Sequence, residues 1–240
     1  FLSLNFVKDR KAAFISAILY MFNGFFFSFV KGGHLNILES YALIPFVLFF
    51  ISKAIKGASI SDIIKNSVFG GVFLALQVLA GGIIFFIYTV FLSFLMFGFY
   101  SIGGNLLARL KKFFIAGVIF LIIGLGLSAI KLLPSLEYTS MSSRASAVSL
   151  QEFLGHTVSL SNIFYIVVTY IPSAEVTISS SVTLVGALLL LFSLFSIKKR
   201  YVLFFDIVAI LSLLLAEGGL FAEFFYNFAP GFGKMRHIER

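Results

Sequence analysis

The apolar run from Ser67 to Tyr100 constrains this chain more than any other feature of its sequence. As a single helix it would measure ~50 Å at ~1.5 Å per residue, well beyond the ~30 Å hydrocarbon core of a bilayer. The pair Gly81-Gly82 sits near its middle, and paired glycines are the signal that breaks such a run into a turn. The run is therefore read as a helical hairpin with spans at 66–81 and 83–100. Helices suit that setting because each satisfies its backbone N–H and C=O groups within its own segment.

The same length criterion places further spans at 12–30, 35–52, 113–133, 182–197 and 201–217, seven in all. Composition agrees. Hydrophobic residues make up 60% of the chain and charged residues 12%, too little polar surface to coat a water-soluble globule. The expected fold class is thus all-α: a polytopic integral membrane protein of the cell membrane, with one transmembrane domain. Phe1 and the terminal HIER read as the ends of an internal piece of a longer protein. The first apolar run is too long for a signal peptide and has no small-residue cleavage site. Zero cysteines exclude a disulfide framework, a thiolate metal site and a cysteine nucleophile.

Orientation follows from Lys and Arg, which favour cytoplasmic loops. With the N-terminus inside, twelve of the 18 basic residues fall on the cytoplasmic side, in groups such as Lys8/Arg10/Lys11 and Lys198/Lys199/Arg200. The expected topology is N-in, C-out. Placement at the membrane rim, with attraction to anionic lipid head groups, accounts for the net charge of +8 without nucleic-acid binding. The fifth span is expected to stop at Pro134 and open a long external loop, 134–181, carrying Glu137, Arg144, Glu152, His156 and Glu175. Within that loop Asn162–Ile171 is apolar but about ten residues long, which suits an interfacial or re-entrant element.

Four segments in order resemble one known family. AILYMFNGFFFSFVKGGHLNILESYALIPFVLF, LALQVLAGGIIFFIYT, LSAIKLLPSLEYTSMSSRAS and FAPGFGKMRHIER resemble successive motifs of the YfhO-type bacterial membrane proteins. The chain departs from that pattern at Gly81-Gly82-Ile83-Ile84, where the family tends to have Gly-His-Pro-Gln, and at His237-Ile238-Glu239, where Val-Pro-Ser is more usual. The resemblance implies a GT-C-like glycosyltransferase that uses a polyprenyl-phosphate sugar donor on the external face. It also implies that the catalytic carboxylate lies on a first external loop upstream of Phe1. Loosely held Mg²⁺ or Mn²⁺ would fit the same likeness, although the three histidines show no paired ligand spacing.

Several residues on the expected external side are candidates for that chemistry. Arg144 offers a planar fork of donors that binds phosphate bidentately; its plainer reading is a partner for Glu137 or for lipid head groups. Lys131, a turn before Pro134, either snorkels to the interface or helps Arg144 hold the phosphate. His34, in KGGHLN, is an interfacial turn residue or a donor to phosphate or sugar, with two glycines allowing close approach. Glu39 falls in the first turns of an apolar span, so it calls for a structural partner such as Lys31 or His34, or a place in a substrate cavity. Arg236, beside His237 and Arg240, either closes over the donor phosphate or an acceptor, or balances Glu223 and Glu239 in a solvated loop. Asp206, near the cytoplasmic end of the last span, reads as a packing or interfacial charge. The expected activity is sugar transfer to an envelope acceptor of unknown identity. The rival readings are a flippase for lipid-linked sugars and a non-catalytic envelope scaffold.

Overall fold

The helix that begins before Ser67 ends at Ala80, and Gly81 turns the chain with φ 111°. The Gly81 N–H reaches the Val78 carbonyl at 3.0 Å and the Gly82 N–H the Gln77 carbonyl at 3.3 Å. This paired closure satisfies two of the carbonyls that a helix end leaves orphaned, and its positive φ is the reason a glycine stands at 81. The next helix starts at Ile83, so the hairpin forms where the sequence predicts it.

The computed structural model describes residues 1–101, 106–141, 149–154 and 184–229. Arg144, Arg236, His156, Glu175 and the stretch Asn162–Ile171 lie outside the described residues. The described elements are all helical: α1 (Leu2–Val7), α2 (Arg10–Met21), α3 (Gly24–Lys31), α4 (Leu35–Lys56), α5 (Ile60–Ala80), α6 (Ile83–Ser101), α7 (Leu106–Ser140), α8 (Leu150–Leu154), α9 (Leu184–Ser193), α10 (Arg200–Glu217) and α11 (Leu220–Phe228). A short 3-10 turn, Leu194–Ser196, follows α9. They fall into two compact units, Phe1–Ser16 with Leu35–Glu137 and Ala17–His34 with Tyr138–Arg240.

Among the described residues, four helices are long and apolar enough to cross a membrane, or five if the bent pair α10–α11 counts as one span. They correspond to the expected spans 35–52, 66–81, 83–100 and 113–133, with the pair covering 201–217. The boundaries differ for local reasons. Helix α5 starts earlier than expected because Ser59 and Asp62 form a capping box, with the Asp62 N–H donating to Ser59 Oγ at 3.0 Å. Its polar first turn hides this start from hydropathy. Helix α7 does not end at Pro134 but runs on to Ser140. Proline removes one helical N–H, and there the Ser135 hydroxyl donates to the Lys131 carbonyl at 2.7 Å.

The expected span 12–30 is two helices rather than one. Asn23 breaks it: its Oδ1 accepts the Phe26 N–H at 2.8 Å, opening α3, while its Nδ2 donates to the Tyr20 carbonyl at 3.2 Å, closing α2. Neither piece, of 12 and 8 residues, reaches across a ~30 Å core alone. Of the expected span 182–197, α9 has ten residues and the 3-10 turn follows it. Helix α10 is bent 92° against α11 at Gly218-Gly219.

In the first unit, Val47, Ile51 and Ala54 of α4 bury with Ile63, Leu74, Ala75 and Val78 of α5, Met96 and Phe97 of α6, and Ala116 and Phe120 of α7. Rings stack along the α4–α5 seam, Phe46 on Phe73 at 5.1 Å and Phe50 on Phe69 at 5.2 Å. The opposite side of α7 exposes Phe114, Val118, Ile122 and Leu125 in a row. An apolar stripe of that kind would be a liability in water and is ordinary against lipid. In the second unit, Phe153 of α8 meets Tyr226 of α11 at 5.1 Å, and Phe204, Asp206, Ala222 and Phe225 are buried.

Close approach of α5 to α7 depends on small residues. A Cβ on Gly71 would lie 2.8 Å from both the Phe120 carbonyl oxygen and Ile123 Cβ, whereas one on Gly126 would meet nothing within 4 Å. Gly71→Ala is expected to lose about 1–3 kcal/mol of stability, the range for overpacking a tight contact. Gly126→Ala is expected to hold or slightly gain stability through helix propensity. Thermal unfolding in detergent compares the two.

Candidate functional site

Polar side chains of the first unit gather on the buried sides of three apolar helices. Gln77, on α5, is fully buried with Ser40 of α4 and with Thr89 and Ser93 of α6. Gln77 Nε2 donates to the Ser40 carbonyl at 3.0 Å and to Thr89 Oγ1 at 3.1 Å. Ser40 Oγ lies 3.0 Å from the Gln77 carbonyl and 3.0 Å from that of Asn36. The two acceptors facing Nε2 fix which way the Gln77 amide points, leaving Oε1 buried with no hydrogen-bond partner. An unmade bond of that kind costs about 1–3 kcal/mol.

The α5–α6 turn lies against the same part of α4. A Cβ on Gly82 would fall 2.3 Å from Ser40 Cβ, so only a glycine lets the turn pass there. Lys131 reaches this end of the hairpin from α7, donating from Nζ to the Leu79 carbonyl at 2.8 Å. That places an ammonium at the negative end of α5, with two of its three N–H donors beyond this bond. A Cβ on Gly81 would stand 3.6 Å from Lys131 Nζ and 3.2 Å from Asn36 Nδ2. The glycine thus leaves room where a cation and an amide donor converge beside the turn. Chemically the arrangement suits an oxyanion.

Of the residues singled out from sequence, the structure puts Lys131 in this constellation. Glu39 stands on the exposed side of α4, between buried Leu38 and Ser40. It lies just past the first turn of α4, near the helix end that favours a carboxylate. His34 belongs to the second unit, exposed, with its ring 5.9 Å from that of Phe29. Arg144 and Arg236 lie outside the described residues. Among the described residues no three of His, Cys, Asp and Glu come together, so these residues do not assemble the oxygen-rich set that Mg²⁺ or Mn²⁺ needs.

Asn36, Ser40, Gln77 and Thr89 escaped the sequence reading, which weighed charges rather than amides and hydroxyls. A signal was present. Asn36 and Ser40 are four apart on α4, and Gln77 is the one amide in the apolar part of its span, after Asn66. In lipid such groups turn toward other helices.

Long apolar helices joined by a tight turn, with their polar groups turned inward and their apolar stripes outward, define a multi-pass helical membrane protein. No protein-family model, curated protein or solved structure matches the chain.

Removing the Gln77 amide tests the network. Gln77→Leu is expected to lower stability by about 1 kcal/mol, the scale of a membrane interhelical hydrogen bond. Ser93→Ala is expected to change it little, because Ser93 Oγ donates within its own helix, to the Thr89 carbonyl at 2.7 Å. Unfolding in mixed detergent micelles reads both.

Proposed function

We propose that the chain is the membrane domain of a GT-C-type glycosyltransferase that takes a sugar from a polyprenyl-phosphate donor on the external face of the cell membrane. The observation that carries this reading is the convergence of the Lys131 ammonium and the Asn36 amide on Gly81. In sugar transfer from a lipid phosphate, negative charge grows on the departing phosphate. A fixed cation with N–H donors beside it stabilises that charge. Glycine lets the ligand approach the turn closely. The family resemblance makes Arg144, Arg236, His34 and Glu39 further candidates for contacts with the donor. A carboxylate deprotonates the acceptor hydroxyl in this scheme.

The proposed architecture has seven spans, N-in and C-out. Charge placement within the first unit supports it. Lys53 and Lys56 end α4, Lys65 stands in the second turn of α5, and Lys112 Nζ donates to the Gly57 carbonyl at 3.0 Å. All four gather at the end of the helices remote from Lys131, as a cytoplasmic rim should. These 240 residues contain no cysteine, so single cysteines introduced among them report the orientation. In intact cells a membrane-impermeant thiol reagent is expected to label His34→Cys and to leave Lys65→Cys unlabelled until the membrane is opened. The reverse pattern would invert the topology.

Transfer itself is tested with the complete protein in proteoliposomes and labelled polyprenyl-phosphate sugar. Lys131→Gln is expected to lower kcat/KM about 10- to 100-fold, as loss of a charged hydrogen bond to a transition state does. Unchanged turnover would remove Lys131 from the site. Label that crosses the bilayer without being transferred would make the protein a flippase.

A further inference from the structure

Helix α9 ends at Ser193, and a buried carboxylate lies against that end. Asp206, on α10, is only 6% exposed. Its Oδ1 is 2.7 Å from Ser193 Oγ, and Ser193 Oγ is also 2.6 Å from the Leu190 carbonyl oxygen. Asp206 Oδ2 is buried with no hydrogen-bond partner. One hydroxyl hydrogen therefore faces two acceptors, while a third oxygen has no donor.

The electrostatics sharpen this imbalance. The C-terminal part of a helix carries the negative end of the helix dipole. A carboxylate there is at the wrong end of the helix, and burial in an apolar setting adds to its cost. Ion pairing does not relieve it: neither Asp206 oxygen contacts a lysine or arginine among the described residues. Negative charge, negative dipole end and surplus acceptors all ask for the same thing, a cation.

We propose that Asp206, Ser193 and the carbonyl end of α9 bind one monovalent alkali cation. The donor set decides the class. All ligands are oxygens, carboxylate, hydroxyl and backbone carbonyl, which suit a hard cation. With a single carboxylate, a monovalent ion leaves the buried site neutral, whereas a divalent ion would leave it with a net positive charge. Backbone carbonyls beside a carboxylate can complete the shell of such an ion. The ion would join α9 to α10 in the second unit, and it owes nothing to the glycosyltransferase reading.

The test uses the full chain purified in detergent, melted in NaCl, KCl or choline chloride at equal ionic strength. One alkali salt, sodium or potassium, is expected to raise the melting temperature saturably by about 3–6 °C over choline, as binding to the folded state requires. Asp206→Asn keeps the shape and removes the charge, so it is expected to abolish the rise. Ser193→Ala is expected to weaken apparent affinity roughly tenfold. Should Asp206→Asn fail to fold, equilibrium binding of ²²Na⁺ or ⁸⁶Rb⁺ to the wild-type chain decides: saturation near one ion per chain supports the site, and its absence overturns it. Equal melting in all three salts, or a cation-dependent rise that survives in Asp206→Asn, also overturns it.

Discussion

The reciprocal pair between Ser40 and Gln77 holds the first unit in register. Each residue's side chain bonds the other's backbone carbonyl, at 3.0 Å in both directions, and Gln77 extends the link to Thr89 on α6. In lipid, apolar side chains gain little by leaving one helix face for another, so association rests on close packing and on polar groups that find each other. Here both operate at one place. The turn at Gly82 comes so near Ser40 that no side chain fits between them, beside the hydrogen bonds that join Ser40 to Gln77. The closure of α5 by Gly81 and the reach of Lys131 to the Leu79 carbonyl lie at the same end of the hairpin.

That arrangement gives the proposed anion site its rigidity. Lys131 is anchored by a backbone acceptor, and Asn36 stands one turn before the serine that locks α4 to α5. A donor set built on two helices and a tight turn loses little freedom when a ligand binds, which is what preorganised electrostatic stabilisation requires.

Much of the fold was legible because the bilayer reduces the problem to length and hydropathy. The hairpin at Gly81-Gly82 could be read from excess length, and the spans at 35–52, 83–100 and 113–133 from apolar runs. Where a single polar side chain decides the backbone, hydropathy was blind. Asn23 divides an apolar stretch by bonding backbone on both sides of itself. Pro134 looked like a stop, but a proline costs one N–H and the neighbouring Ser135 hydroxyl bonds the turn before it. Asp206 looked like a packing charge near a basic run, since nothing in one dimension shows a helix end folding back onto it.

The sequence by itself determined that this chain is helical, apolar outward and built for a membrane, because backbone groups in lipid must pair within their own segment. It also determined where the central hairpin turns. Only the tertiary structure decided which polar groups meet: Gln77 with Ser40 and Thr89, Lys131 with the end of α5, Asp206 with the end of α9. Those meetings depend on close approaches between residues distant in the chain, such as Gly71 against Ile123 and Gly82 against Ser40. Periodicity names a helix face, but it cannot say which carbonyl that face will touch.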